Sequence, residues 1–374
     1  MESDDARLAT GTTRAQTQSH TQPPPSSSSS SPRNSENQTY IVDPVPIHKH
    51  THTFILLHGL GSNGYKFGSE LLTTGKTSSR GKTLDEIFPY ARFVFPTAKW
   101  RRSTAFGRKR LTQWFDIARL EDPEYRKEIQ LDGLEESVRF IRELIFAEMG
   151  LLDGNRNREK SGGEGENKQK KEGGNRKGIP ALNIILGGIS QGCATSLSVL
   201  LSLEFPLGGY VGMSGYLPFQ RDILSAATDK DTDPFATANN DDDNNDNPFA
   251  TSQPSSPSSP SFNTQAQTQN PELDDPALKA FHFERELLSL PPLPNNTAQE
   301  TAALTPIFLG HGLEDEKKPY KLGEAAAETM KAAGYEVVRW KLYSGLGHWY
   351  KVPDEIDDAV EFIVKDVRWD AVGV

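Results

Sequence analysis

Cysteine is almost absent. A single thiol, Cys193, stands in 374 residues, which excludes any intrachain disulfide and fits a reducing compartment. No apolar run approaches the length of about 18 residues that a membrane-spanning helix needs. Residues 1–12, MESDDARLATGT, lack the basic and apolar regions of a secretory leader. Positive charge is also short, with 41 Lys and Arg against 51 Asp and Glu and a net charge of −10. Nucleic acid is therefore not expected as a partner, because phosphate binding wants clustered cations. These absences predict a cytoplasmic protein, with the nucleus also open to it, that meets membrane surfaces at most transiently. They carry no signal for oligomeric state.

Apolar residues make up only 35 % of the chain, and they are unevenly spread. Residues 1–38 are rich in Ser, Thr, Gln and Pro and cannot bury enough apolar surface to offset the entropy of ordering, so a disordered arm is expected. Two further low-complexity stretches, at about 153–178 and 225–275, read as flexible insertions; the second carries seven aspartates against one lysine over residues 229–246. What remains of 39–374 supplies one catalytic domain. Its apolar runs alternate between strand and helix periods, as a mostly parallel sheet with helices on both faces requires. Strands are expected at 40–42, 53–57, 91–96, 183–186, 305–309 and 337–343, and a strand running into a loop over 209–216. Helices are expected at 84–88, 131–149, 191–203, 277–290, 320–333 and 356–367.

The stretch that organises the chain is NIILGGISQGCATSLSVLLSLEF, residues 183–205. A buried strand runs into Gly188-Ile189-Ser190-Gln191-Gly192 and then into a helix. A serine at so sharp a strand-to-helix turn takes up strained backbone geometry, and the positions two residues either side must lack side chains for strand and helix to pass. Ser190 would then stand exposed at a helix N-terminus, where free N–H groups and the helix dipole favour developing negative charge.

A serine hydroxyl needs a base, and the base an acid to orient it. Downstream of Ser190 the sequence offers His282, His311 and His348. His348, in Gly345-Leu346-Gly347-His348 after the last strand, sits in a loop flexible enough to reach a serine and is the expected base. Asp315, in the loop after the 305–309 strand, is the expected acid, with Glu314 beside it as the alternative. Asp116 precedes the serine and reads as structural. The glycine-rich His58-Gly59-Leu60-Gly61 loop suits an oxyanion hole, formed by the N–H groups of Leu60 and Gln191. The same loop lacks the Lys-Ser/Thr of a phosphate loop. His48, His50 and His52 alternate, but no neighbouring Cys or carboxylate completes a metal site, and none is expected. The basic run 99–110, KWRRSTAFGRKR, reads as a solvated loop that could rim a substrate entrance, with Trp114 and Phe115 as its binding wall.

Six motifs taken together, His58-Gly59-Leu60-Gly61, Trp114-Phe115-Asp116, Gly187 to Gly192, Ser214-Gly215-Tyr216-Leu217-Pro218, His311-Gly312 with Asp315, and Gly347-His348, resemble in order the acyl-protein thioesterase and phospholipase/carboxylesterase family of α/β hydrolases. The resemblance spans 51–367 apart from the insertions. It implies a cofactor-free serine hydrolase with Ser190, Asp315 and His348 as triad and Leu60 and Gln191 as oxyanion donors. Its substrates would be acylated proteins, such as S-palmitoyl cysteines, or small esters and lysophospholipids. The chain departs from the family in having Ser62 after His-Gly-Leu-Gly, and a basic stretch at 99–110 where the family's is apolar. A small-ester carboxylesterase, or a catalytically silent hydrolase fold used for interaction, are the competing readings.

Overall fold

The computed structural model describes residues 38–44, 50–150, 178–228, 275–293, 297 and 301–372. All but the last residue of the expected arm (1–38) and of the 153–178 stretch, and most of the 225–275 stretch, its acidic segment included, lie outside them.

Seven strands form one sheet in the order β1-β3-β2-β6-β7-β8-β9: β1 (Tyr40–Val42), β3 (Ala91–Phe95), β2 (His52–Leu57), β6 (Ile184–Ile189), β7 (Gly209–Met213), β8 (Ile307–Gly312) and β9 (Val338–Tyr343). β1 pairs antiparallel with β3, and every other pairing in the sheet is parallel. Parallel strands are joined by crossovers and are buried on both faces, so β2, β3, β6, β7 and β8 are mostly apolar, with Arg92 in β3 and His311 in β8 among the buried exceptions. Alternation then sorts the side chains. Phe54 and Leu56 point to one face, toward α1 (Gly64–Thr74), α2 (Leu84–Ile87) and α8 (Asp354–Phe362). Ile55 and Leu57 point to the other face, toward α3 (Leu131–Glu148), α4 (Gln191–Ser202), α5 (Gln220–Thr228), α6 (Pro276–Leu287) and α7 (Tyr320–Ala332). The apolar stripe of α3, with Leu134, Val138, Ile141 and Ile145, is fully buried on that second face.

The structure corrects the sequence reading in several places. The basic run is no loop: β4 (Trp100–Ser103) and β5 (Lys109–Thr112) pair antiparallel as a hairpin, turned through Gly107 and Arg108 at φ of 59° and 66°. Charged residues on both sides of each strand hid the alternation that would have announced it. Helix α1 went unread because Gly64, Tyr65 and Gly68 weaken its propensity; Asn63 starts it by accepting from the Lys66 N–H at 2.8 Å. α5 continues to Thr228, past the expected insertion boundary at 225, because Ile223 and Ala227 bury one face four residues apart. β8 extends through His311 and Gly312, both expected in a loop. His50 precedes β2 and bonds Thr53, whereas His52 begins the strand and packs its ring against Trp369, so these two histidines do not share a strand face; His48 lies outside the described residues.

Candidate active site

Ser190 caps α4 with φ 56° and ψ −121°, a conformation that L residues avoid and that the surrounding contacts must enforce. Two glycines make the turn possible. A Cβ on Gly192 would lie 2.2 Å from the Leu57 carbonyl oxygen, and one on Gly188 would lie 2.5 Å from the same atom. The serine N–H donates to the Met213 carbonyl at 2.9 Å, fixing the elbow to the end of β7. Cys193 lies one turn into the same helix, wholly buried, and burial pushes its thiol up to about 12. Native protein should therefore be inert to a thiol-reactive aromatic disulfide and take up one equivalent on denaturation. Reaction of the folded chain at the rate of a free thiol would show instead that α4 opens readily.

Sequence-distant residues converge on the serine. His348 Nε2 is 2.8 Å from Ser190 Oγ, and His348 Nδ1 is 2.7 Å from Asp315 Oδ2. Asp315 also accepts at Oδ1 from the backbone N–H groups of Lys317 at 3.0 Å and Lys318 at 2.9 Å. Burial alone would raise the Asp315 carboxyl, but the hydrogen bonds from His311, His348 and the Lys318 N–H hold it well below the usual carboxylate range. The loops that carry Asp315 and His348 are laced together. The Glu314 N–H donates to the Leu346 carbonyl, and the Leu346 N–H to Glu314 Oε2, both at 3.0 Å. Ser214 Oγ donates to the Trp349 carbonyl at 2.7 Å, tying the end of β7 to the residue after His348. Of the two other downstream histidines, His282 lies on α6, while His311 is fully buried on β8 and reaches Asp315 rather than Ser190.

The His58 to Gly61 loop crosses directly over the elbow, so that a Cβ on Gly59 would stand 3.4 Å from Ser190 Cβ. His58 Nδ1–H donates to the Gly59 carbonyl at 2.7 Å, and its Nε2 accepts from the Ala98 N–H at 3.0 Å. Burial lowers that imidazole to about 4, so it serves as a neutral strut at physiological pH. Gly61 N–H donates to the Thr112 carbonyl at 2.8 Å, and Thr112 Oγ1 donates to the Ser62 carbonyl. The basic hairpin is thereby fastened beside the loop that carries Leu60.

Trp114 and Phe115, expected as a substrate wall, are both wholly buried. They brace the site from beneath: Trp114 Nε1–H donates to the His58 carbonyl at 2.8 Å, and the Gln191 side chain spans the Trp114 N–H (3.0 Å) and the Phe115 carbonyl (2.7 Å). Both outer polar atoms of Gln191 are thus consumed in holding the first turn of α4 against this segment. Asp116 anchors the hairpin by accepting from Thr104 N and Oγ1 at 2.8 and 2.5 Å. Sequence reasoning also passed over Lys318, whose buried ammonium lies 4.1 Å from the centre of the Tyr216 ring and is lowered to about 7 by burial. Among the described residues, no group of three or more His, Cys, Asp or Glu could hold a metal ion.

The sequence model of the phospholipase/carboxylesterase family matches residues 39–244, more than half of the chain. The chain belongs to that family. It is an α/β hydrolase, and the match covers the His58 to Gly61 loop and the elbow at Ser190. Acyl-protein thioesterase 1 of Debaryomyces hansenii is 26 % identical over 83 % of this chain and 88 % of that protein. Acyl-protein thioesterase 1 of Saccharomyces cerevisiae is 24 % identical over 84 % and 92 %. Among solved structures, Zea mays acyl-protein thioesterase 2 shares the fold with a TM-score of 0.50 at 21 % identity, covering 88 % of this chain and 99 % of that one.

Proposed function

We propose that this hydrolase cleaves acyl thioesters and carboxyl esters through an acyl-enzyme on Ser190, with acylated proteins as its substrates. The observation that carries the reading is the single imidazole within hydrogen-bond reach of both a strained serine and an ionised aspartate. In this mechanism His348 Nε2 takes the Ser190 proton as Oγ attacks the acyl carbonyl. The N–H groups of Leu60 and Gln191 receive the oxyanion, and Asp315 holds the proton of His348 on Nδ1 and balances the imidazolium. His348 then protonates the departing thiolate or alkoxide. Water, deprotonated by the same imidazole, attacks the acyl-serine and releases the carboxylic acid. No step calls for a cofactor.

The names of the fungal relatives support acyl-protein thioesters as the substrate class. A site of action in the cytoplasm or nucleus is part of the same proposal; no helix among the described residues is long and apolar enough to cross a membrane. One observation favours short acyl groups as a second reading: the hairpin beside the His58 to Gly61 loop exposes Arg102, Arg108, Lys109 and Arg110, with Trp100 and Phe106 as isolated apolar side chains among them rather than a continuous apolar run. Parallel turnover of an S-palmitoyl peptide, a lysophospholipid and a set of p-nitrophenyl esters separates these readings. The thioesterase reading expects the palmitoyl peptide to give kcat/KM at least about tenfold above the lysophospholipid, a gap of about 1.4 kcal/mol in transition-state stabilisation. Short p-nitrophenyl esters turned over while the palmitoyl peptide stays untouched would establish the carboxylesterase reading in its place. A fluorophosphonate probe that leaves Ser190 unlabelled would remove both.

A further inference from the structure

Asp315 Oδ2 has two imidazole neighbours. Besides His348 Nδ1 at 2.7 Å, it meets His311 Nε2 at 3.1 Å. The same His311 nitrogen lies 2.8 Å from the Lys318 carbonyl oxygen. A carboxylate oxygen and a carbonyl oxygen can only accept here, so both contacts require a proton on His311 Nε2, shared between the two. His311 Nδ1 is buried with no hydrogen-bond partner among the described residues. A second proton placed there would have no acceptor, and the ring is best satisfied as the Nε2–H tautomer. The ring is fully enclosed, tilted against Trp340 with centroids 5.9 Å apart, and a Cβ on Gly323 would come within 2.5 Å of Nδ1. It has little room to turn away.

We propose that His311 is a positioning residue for catalysis, a second histidine whose Nε2–H fixes the orientation of the Asp315 carboxylate and tempers its pull on the proton held by His348. The inference rests on the catalytic reading of Ser190, Asp315 and His348 given above. Its physical basis is competition for one oxygen. The lone pairs of Oδ2 are divided between two donors, so the carboxylate stabilises the His348 imidazolium less than it would with His348 alone, and Oδ2 stays aimed at both rings. The other groups facing this carboxylate are accounted for. Lys318, on the same loop, sends its ammonium to Tyr216; Glu121, Asp315 itself and Asp122 all act on that charge, Glu121 and Asp122 from the loop before α3. Glu314 is turned to the Leu346 N–H. His348 comes from the loop after β9 and His311 from β8.

Replacing the donor while keeping an aromatic ring, His311→Phe, should free Oδ2 for His348 alone. A more basic carboxylate favours the imidazolium, so the acid limb of kcat/KM, which reports the catalytic base of the free enzyme, should move to higher pH by about half to one unit. With the carboxylate less firmly aimed, kcat on a short p-nitrophenyl ester should fall about tenfold or more while KM changes little. His311→Gln places an amide N–H near the position of Nε2 and should return the acid limb to within about 0.2 unit of the parent, as a hydrogen-bonding role demands. A folded His311→Phe protein whose acid limb stays in place, or a Gln variant that moves as far as Phe, would overturn the proposal. Nitrogen-15 NMR of the histidine rings in the unsubstituted protein tests it without any variant. Near neutral pH His311 should show a protonated Nε2 and a bare Nδ1, and the opposite tautomer would abolish the contact with Asp315. That spectrum is independent of turnover. A failure of the triad assignment in serine variants and a failure of this inference are thus told apart.

Discussion

Ser190→Ala and His348→Ala should each lower turnover of the best ester or thioester substrate by a factor on the order of 10⁶, and the double variant should be hardly worse than either alone. The magnitude follows from mutual dependence. Without the imidazole, Oγ keeps its proton and is a poor nucleophile; without Oγ, the imidazole has nothing to activate except water. What survives is the contribution of the oxyanion donors and of substrate binding, a residue of about 10³ to 10⁴ over solution. The serine variant should fold as well as the parent, since the strained φ of 56° is set by Gly188, Gly192 and the bond to Met213 rather than by the hydroxyl. Equal thermal midpoints would therefore accompany the loss of activity. A Ser190→Ala protein that keeps more than about a hundredth of parental kcat would sink the assignment.

How far the sequence disclosed this site depends on how local each requirement is. The elbow was legible because its demands fall within five consecutive residues: only small neighbours let α4 start against the Leu57 carbonyl, and that need is written as Gly188 and Gly192. The sheet was legible for a related reason, since strands buried on both faces leave apolar runs that no other element of that length produces. His348 could be chosen by its place after the last strand, but nothing local separated Asp315 from Glu314. That choice needs the partner across the chain, and the contacts favour Asp315, which reaches two histidines, while Glu314 is turned to the Leu346 N–H. Trp114 and Phe115 show the opposite situation. A Trp-Phe pair beside a basic run looks like a binding wall, and only the tertiary contacts reveal that Gln191 and the His58 carbonyl have already claimed its polar groups. The hairpin was missed because charge on both of its faces erased the period of two by which a half-buried strand is recognised.

Asp315→Asn is the sharper test of the acid, because its surroundings leave an amide no comfortable orientation. Four N–H donors converge on the carboxylate: His348 Nδ1 and His311 Nε2 at one oxygen, the backbone of Lys317 and Lys318 at the other. An asparagine must turn its NH₂ toward one of these pairs, and donor then meets donor. If the NH₂ faces the histidines, His348 is driven to the tautomer with its proton on Nε2, where it cannot accept from Ser190. If the NH₂ faces the backbone, two N–H groups lose their acceptor, and the buried one of Lys318 does so at a cost of about 1 to 3 kcal/mol. The first orientation gives the larger kinetic effect, and a fall in kcat of about 10⁴ is expected, as for loss of the orienting acid in other serine hydrolases. Measuring well below the thermal midpoint separates that loss from unfolding. Glu314→Gln is the paired control. Its amide oxygen can accept from the Leu346 N–H as Glu314 Oε2 does now, so turnover should stay within about twofold, the range of a surface change that keeps its contact. Kinetics in which Glu314→Gln is crippled and Asp315→Asn is nearly parental would move the acid to Glu314 and leave the Asp315 carboxylate with no part in the reaction.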